Sequence, residues 1–217
     1  MRLSNQIVLA SLNRGKLDEF SELFSGYPDI EIVSVDGLVR NAEKLEFVEI
    51  YDTYLDNCAA KARLANHGCH YPALADDTGL EVDALGGKPG VRTRRYASIT
   101  GQAPLSNVEQ DRANIEFLLS ELKKVGATNR SARFVTVLCL VVEGIMLHAT
   151  GTLEGTIADH PRGSHGFGYD SVFIPKGSSK TLAEMSETEK NALSHRAKAV
   201  QELMHKAQER GIVLAKP

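Results

Sequence analysis

The stretch Leu74-Ala-Asp-Asp-Thr-Gly-Leu-Glu-Val-Asp-Ala-Leu-Gly-Gly-Lys-Pro-Gly-Val91 says most about the fold of this chain. A short apolar run, residues 72–75, predicts a strand that ends at the adjacent carboxylates Asp76 and Asp77. A loop is expected next, because glycine adopts backbone conformations that other residues resist. Two carboxylates at a loop mouth predict a Mg²⁺ site shared with substrate phosphate. An isolated Asp-Asp pair is more often a solvated turn, so the neighbouring motifs must decide.

Hydrophobic periodicity on either side of this stretch predicts alternating strands and helices. Strands are expected at 7–10, 31–35, 133–143 and 144–158, and helices after residue 16, at 53–67, at 108–125 and from 186 towards 210. Ser186-Glu-Thr-Glu189 matches a capping box, and Ser194 is expected to divide the last helix. The long strands that turn near Glu143-Gly144 predict an α/β domain with a mixed rather than a purely parallel sheet.

Composition limits the classes of function. The 217 residues suit a single domain, here 1–217, and 25 Lys+Arg against 28 Asp+Glu give a net charge of −3. That balance argues against nucleic acid as a partner, since non-specific binding needs many cations. Three cysteines are too few and odd in number for a disulfide framework. The apolar start at 7–10 is much shorter than a signal-peptide core, and no apolar run reaches a membrane span, so a cytoplasmic protein without membrane contact is expected.

A first candidate site is Ser11-x-Asn13-x-Gly15-Lys16, between a predicted strand and a predicted helix. Backbone amides at a helix start, with a lysine beside them, favour phosphate binding. The pattern is not a Walker A loop, because the second glycine spacing and the hydroxyl residue after lysine are missing. A plain turn with a surface lysine is the alternative.

A second candidate site is acidic and combines Asp76 and Asp77 with Glu49, with Lys61 on the intervening helix. Hydrolysis of a phosphoanhydride needs a metal that neutralises the phosphates and a carboxylate that deprotonates water. For Glu49 the alternative is a solvated acidic loop, and for Lys61 it is an ordinary position on the helix surface.

The third and fourth candidate sites lie near the C-terminus. In Gly166-Phe-Gly-Tyr-Asp170 the glycines would allow Phe167 to lie against a planar ring, with Asp170 accepting from a ring N–H. The alternative is that Phe167 and Tyr169 pack in the core. Lys190 and Ser194-His195-Arg196 offer donors for a carbonyl, although adjacent His and Arg on a helix are commonly surface residues.

Taken together and in this order, the four motifs resemble the inosine triphosphate pyrophosphatase family, which removes non-standard purine nucleotides. The resemblance spans nearly the whole chain. It implies a two-lobed α/β fold around a long mixed sheet with a cleft between the lobes, a homodimer, and Mg²⁺-dependent cleavage of ITP, dITP or XTP to the monophosphate and pyrophosphate. The related Maf-type pyrophosphatases open with a different motif that this chain lacks.

The resemblance also implies roles for individual residues. The first motif would bind the triphosphate through Ser11, Leu12, Asn13, Arg14, Gly15 and Lys16, and Lys61 matches the lysine before alanine on the second helix. Asp77 would be metal ligand and general base, with Asp76 as its catalytic neighbour and Thr78 as a substrate contact. Glu49 would be a second metal ligand, although a shift of one residue puts Val48 at that position. Base and sugar would be held by Phe167, Gly168, Tyr169, Asp170, Lys190, His195 and Arg196.

Leu12 and Ser171 depart from the family pattern, which has a small or polar residue at the first position and proline at the second. Two alternative functions stay open at this point: a Maf-like pyrophosphatase with a different base preference, and a nucleotide sensor that binds without turnover.

Overall fold

The structure is a computed structural model that describes residues 5–40, 42, 45, 49–97 and 106–212. Val48, the competing metal-ligand position, lies outside these residues. The strands within them are β1 (Gln6–Leu9), β2 (Glu31–Ser34), β3 (Ala73–Val82), β4 (Pro89–Gly90), β5 (Ser131–Val142), β6 (Ile145–Ile157) and β7 (Phe173–Pro175). The helices are α1 (Arg14–Phe24), α2 (Tyr54–Cys69), α3 (Asn107–Lys124), α4 (Glu187–Leu193) and α5 (His195–Glu209).

The strands form one mixed sheet in the order β2-β1-β3-β5-β6-β7, with β4 paired to β3. β1 runs parallel to β2 and β3, whereas β4 is antiparallel to β3 and β7 is antiparallel to β6. Glu143 and Gly144 connect β5 to β6 with φ values of 49° and 78°, the left-handed conformations that tight hairpins require. The predicted α/β class and mixed sheet are confirmed.

β3 differs from the sequence prediction. The prediction that this strand ends at Asp76-Asp77 is wrong, because β3 continues to Val82. Leu80 and Val82 are fully buried and extend the alternation expected of a strand beyond the two carboxylates. The left-handed glycines come only later, at Gly86 and Gly87. Both aspartates therefore lie inside a buried strand, and each needs a compensating partner.

The chain comprises two compact units. Unit 1 contains residues 1–77, 136–151 and 196–217. Alternate residues of β1 point to opposite sides of its sheet: Ile7 and Leu9 pack against α1 and α5, while Val8 packs against α2. Phe20 and Phe24 of α1 and the alanines of α2 at 59, 62 and 65 are all buried, so each helix packs its apolar face in the core of this unit.

Unit 2 contains residues 78–135 and 152–195. Its core joins Ile115, Leu118 and Leu122 of α3 to apolar side chains of the strands, including Phe134 and Phe173, whose rings are 4.6 Å apart. The prediction of a single domain over 1–217, and that of a cleft between lobes, stay predictions. No helix within the described residues is both long and apolar enough to cross a membrane.

The C-terminal helices follow the sequence prediction closely. Ser186 Oγ accepts from Glu189 N at 3.2 Å, and the Glu189 carboxylate accepts from Ser186 N at 2.8 Å, so the capping box is confirmed. Ser194 is extended, with φ −63° and ψ 147°, and separates α4 from α5. This break decides which way the next two residues, His195 and Arg196, point.

Candidate active site

The first motif forms the connection from β1 to α1. Asn13 caps the helix, because its Oδ1 accepts from Lys16 N at 3.2 Å, and Ser11 Oγ accepts from Asn13 N at 3.2 Å. Arg14 and Gly15 begin the first turn of α1. All six residues of the predicted phosphate loop, 11–16, therefore lie at a helix N-terminus, where aligned peptide dipoles favour an anion.

Asp76 is 1 % exposed and is held between two cations. Its Oδ1 lies 2.9 Å from Lys16 Nζ, and its Oδ2 lies 3.6 Å from Arg196 Nε. Burial opposes ionisation, but the nearby positive charges, led by Lys16 and Arg196, outweigh it and hold the pKa of Asp76 well below its usual range. Asp76 is therefore an anion at neutral pH that fixes a phosphate-loop lysine, and a direct catalytic role for it stays a prediction.

Asp77 lies next in the strand and has different partners. Its Oδ2 accepts from Asn57 Nδ2 at 3.2 Å, and its Oδ1 lies 3.7 Å from Lys61 Nζ. Burial raises the pKa of Asp77 to about 6; Lys61 opposes the rise and the negative charge of Glu49 adds to it. A carboxyl group with a pKa near the working pH suits a general base, which must both accept and release a proton.

Lys61 links the two acidic positions. Its Nζ lies 2.7 Å from Glu49 Oε1 and also donates to the carbonyl oxygen of Asp76. Only 4 % of Lys61 is exposed, so the alternative of an ordinary surface lysine is wrong. Burial alone would lower its pKa, but Glu49 and Asp77 reverse that effect and raise the pKa of Lys61. Lys61 is a permanent cation at this site.

The residues here fit the predicted Mg²⁺. Glu49 and Asp77 both approach Lys61 Nζ, so their carboxylates converge on one region. Mg²⁺ is commonly held by one or two carboxylates together with substrate phosphates. Within the described part of the chain, no group of three or more His, Cys, Asp or Glu side chains is placed to hold a metal. A site with two carboxylates that substrate phosphates complete is consistent with both observations.

Arg196 and His195 are buried, so the alternative that they lie on the helix surface is wrong. Arg196 Nη1 lies 2.9 Å from Glu19 Oε2, and both side chains are almost fully enclosed. The His195 ring stacks on Phe134, with centroids 4.9 Å apart and an interplanar angle of 11°. The guanidinium of Arg196 is thus fixed by Glu19 and Asp76, and its reading of a base stays a prediction.

The glycine-rich loop and α4 form a second group of predicted site residues. Asp170 Oδ2 accepts from Lys190 Nζ at 3.0 Å and from Phe167 N at 3.2 Å. Lys190 Nζ also lies 5.3 Å from the centre of the Phe167 ring, within range of a cation–π contact. Phe167, Asp170 and Lys190 therefore form one connected cluster.

The side chain of Tyr169 does not belong to this cluster. Its side chain is 3 % exposed, and its hydroxyl donates to the carbonyl oxygen of Thr93 at 3.0 Å. Burial raises the pKa of Tyr169 far above its ordinary value. The alternative of core packing is thus confirmed for this side chain, and contact with substrate through Tyr169 stays a prediction.

The predicted site residues fall into two groups, one in each unit. Unit 1 contains the phosphate loop with Glu49, Lys61, Asp76, Asp77 and Arg196. Unit 2 contains Thr78, which follows Asp77 directly in β3, together with 167–170, Lys190 and His195. Direct contacts join Lys16, Asp76 and Arg196 in unit 1 and Phe167, Asp170 and Lys190 in unit 2.

Sequence reasoning missed three residues that hold these groups in place. Asn57 binds Asp77, Glu19 pairs with Arg196, and Asp111 accepts from Gly168 N at 2.8 Å. Glu19 lies three residues after Lys16 and so on the same face of α1, which is a signal that was available. Asn57 and Asp111 look like ordinary polar helix positions, and only their tertiary contacts identify them.

The chain is similar to known proteins over most of its length. Residues 7–206 match the sequence model of the Ham1 family. A dITP/XTP pyrophosphatase of Oceanobacillus iheyensis is 39% identical over 199 residues, which is 91% of this chain and 95% of the relative. A dITP/XTP pyrophosphatase of Shouchella clausii is 41% identical over 197 residues, which is 90% of this chain and 93% of the relative. A solved HAM1 protein from Coxiella burnetii has a TM-score of 0.76 and 35% identity, covering 94% of this chain and 98% of its own.

Proposed function

The chain belongs to the Ham1 family, and from this membership we propose that it hydrolyses the non-standard purine nucleotides ITP, dITP and XTP to the nucleoside monophosphate and pyrophosphate. The resemblance inferred from the four motifs is confirmed, and relatives that carry the name dITP/XTP pyrophosphatase support this substrate class. One observation carries the proposal: the buried carboxylate of Asp77, held by Asn57 and Lys61, follows directly after Asp76, which pairs with Lys16 of the phosphate loop. The Maf-like alternative has no comparable support.

The side chains divide the reaction between them. Water attacks the α-phosphorus and gives its proton to Asp77, while the bond from the α-phosphorus to the bridging oxygen breaks and pyrophosphate leaves. Lys16 and the N-terminus of α1 bind the outer phosphates and so stabilise the negative charge that develops on the leaving group. Asn57 orients the Asp77 carboxylate through the 3.2 Å hydrogen bond. A positioned general base contributes about 10²–10⁴-fold to the rate.

We propose Mg²⁺ as the cofactor, held by Asp77 and Glu49. When bound with substrate, Mg²⁺ would neutralise charge on the triphosphate. Lys61 lies 2.7 Å from the Glu49 carboxylate and so orients it for this role. Asp77 would ionise more readily beside a divalent cation, since a nearby positive charge favours the charged form of a carboxyl.

The cluster in unit 2 would bind the base and sugar. Phe167 offers a flat aromatic face, and Lys190 lies close to that ring with its charge balanced by Asp170. Hypoxanthine and xanthine present a keto oxygen at position 6, which accepts hydrogen bonds, whereas adenine presents an amino group that donates them. A site that supplies donors, such as His195, would favour the keto bases.

A homodimer and a cytoplasmic location complete the proposal. The homodimer rests on the family resemblance alone. The location is supported by the chemistry of the cysteines: Cys58, Cys69 and Cys139 are all free of disulfides, as expected in a reducing compartment.

The test is turnover of ITP, dITP, XTP, GTP and ATP by the purified protein, with Mg²⁺ and with a chelator. We expect equal amounts of monophosphate and pyrophosphate from the keto purines in the presence of Mg²⁺. Release of diphosphate and orthophosphate as primary products would reject the reaction. Tight binding of ITP with no turnover would favour the sensor alternative instead.

A further inference from the structure

The backbone around Phe167 follows a path that glycine makes possible. Gly166 and Gly168, on either side of it, have φ values of 76° and 61°. A Cβ atom on Gly166 would collide with the Asp170 carboxylate, so the loop passes as close to that group as a backbone can. The position of the Phe167 ring therefore depends on how these flanking peptide groups are held.

Two carboxylates hold them. Asp170 accepts from the amide of Phe167 at 3.2 Å, and Asp111 accepts from the amide of Gly168 at 2.8 Å. The first amide precedes the Cα atom of Phe167 and the second follows it. Because peptide groups are planar, fixing both fixes φ and ψ of the residue between them and hence the direction of its Cα–Cβ bond, from which the ring extends.

Asp111 reaches this loop from a different element. It lies in the second turn of α3, 57 residues before Gly168, whereas Asp170 belongs to the loop itself. Its position costs free energy in the ionised form: burial raises the pKa of Asp111, while the Gly168 amide and Arg94 oppose the rise. A carboxylate in such a position needs a specific partner, and the Gly168 amide provides one.

A cavity of about 610 Å³ lies between the loop and α3. Asp111, Ile115 and Leu119 line it from the helix, and Pro161, Gly166 and Phe167 line it from the loop. The loop therefore has open space on the side that faces α3. The hydrogen bond from the Gly168 amide to the Asp111 carboxylate connects the loop to α3 at the edge of this cavity.

We infer that Asp111 is a positioning residue that orients the ring of Phe167 for stacking on the purine base. This inference rests on the proposed function, in which Phe167 receives that base. Asp111 acts through the Gly168 amide and does not touch the reacting phosphate. Its effect should therefore be on binding of the nucleotide, and the rate of the bound complex should change little.

The test compares Asp111→Ala, Asp111→Asn and the control Glu116→Ala. Glu116 lines the same cavity but pairs with Arg112 on the exposed face of α3. Hydrogen bonds to charged groups are strong, so Asp111→Ala should raise KM for ITP and Kd for IMP by about ten- to a hundredfold, with kcat within about threefold. Asp111→Asn keeps an acceptor but loses the charge, so its KM and Kd should fall between those of the wild type and Asp111→Ala, whereas Glu116→Ala should match the wild type.

A double-mutant cycle with Phe167→Ala separates positioning from general stability. If Asp111 acts through Phe167, then Asp111→Ala should add almost nothing to KM in the Phe167→Ala background. Full additivity of the two changes, or a wild-type KM for Asp111→Ala, would overturn the inference. If Asp111→Ala does not fold, Asp111→Gln, in which the acceptor is displaced by one methylene, takes its place.

The two proposals fail in different ways. If the wild-type protein hydrolyses ITP and binds IMP but the Asp111 variants match it, only the role of Asp111 is wrong. If the wild-type protein neither turns over ITP nor binds IMP, the proposed function and this inference fall together.

Discussion

Asp77→Asn should lower turnover by at least about 10²–10⁴-fold and yet make the metal-free protein more stable. The substitution keeps the shape of the side chain and its hydrogen bond with Asn57, but removes a charge that burial disfavours. The pKa of Asp77 rises from 3.8 to about 6 on folding, and this difference already includes the attraction of Lys61. At 1.36 kcal/mol for each pH unit, ionised Asp77 costs the native state about 3 kcal/mol.

The sign follows from proton linkage. Below pH 3.8 the carboxyl is protonated in both the folded and the unfolded state, and it costs nothing. As the pH rises towards about 6, only the unfolded chain ionises, so native stability is lost progressively and the full cost is present above pH 6. The advantage of Asp77→Asn should be about 3 kcal/mol at pH 7.5 and about half of that at pH 5.

Urea and thermal unfolding in the presence of a chelator would measure this difference. For a chain of 217 residues, 3 kcal/mol corresponds to a rise in Tm of about 6–12 °C. Asp29→Asn, at an exposed turn, should change stability by less than about 0.5 kcal/mol. The adjacent Asp76→Asn should do the opposite and destabilise the protein by about 1–3 kcal/mol, because it removes the anion beside Lys16 and one of the two carboxylates beside the buried Arg196.

Two results would refute this reasoning. If Asp77→Asn is less stable than the wild type at pH 7.5, the ionised Asp77 carboxylate does not destabilise the native state. If its turnover of ITP at saturating Mg²⁺ is near normal, Asp77 is neither the base nor an essential metal ligand, since loss of a general base alone should lower the rate by about 10²–10⁴-fold.

Three further predictions concern the same site. At limiting Mg²⁺, kcat/KM for ITP should fall as the pH drops below about 6, because Asp77 becomes protonated. Added Mg²⁺ should move the midpoint of this pH profile to lower pH. A flat profile from pH 5 to 7 would exclude Asp77 as the base. Glu19→Leu should lower the free energy of unfolding by about 3–5 kcal/mol, because it removes the carboxylate beside the buried Arg196. The double variant Glu19→Leu with Arg196→Met should recover most of that stability but not the activity. A double variant that is as unstable as Glu19→Leu in urea unfolding would contradict this. Arg196→Ala should lower kcat/KM for ITP more than for ATP, and an unchanged ratio would show that Arg196 acts only through Glu19 and Asp76.

Most helices, the long hairpin and the site motifs could be predicted from the sequence, whereas the end of β3 and the short strands β4 and β7 could not. Periodicity of apolar residues predicted α1, α2 and α3 to within a few residues, together with the hairpin at Glu143-Gly144. The capping box at Ser186 and the break at Ser194 were also predicted, because capping and local competition for hydrogen bonds depend on a few neighbouring residues. The four motifs identified the family, because each joins chemically specific residues at fixed short spacing.

The burial of the charged site residues became clear only from the three-dimensional structure. The sequence pattern predicted that β3 would end at Asp76 and gave surface positions as the alternatives for Lys61 and Arg196, yet all three are buried. A buried charge is stable only beside a partner, and here the partners are distant in the chain: Arg196 and Glu19 are 177 residues apart. Local periodicity reports which positions are apolar, whereas the burial of an ion depends on long-range pairing that the fold alone creates.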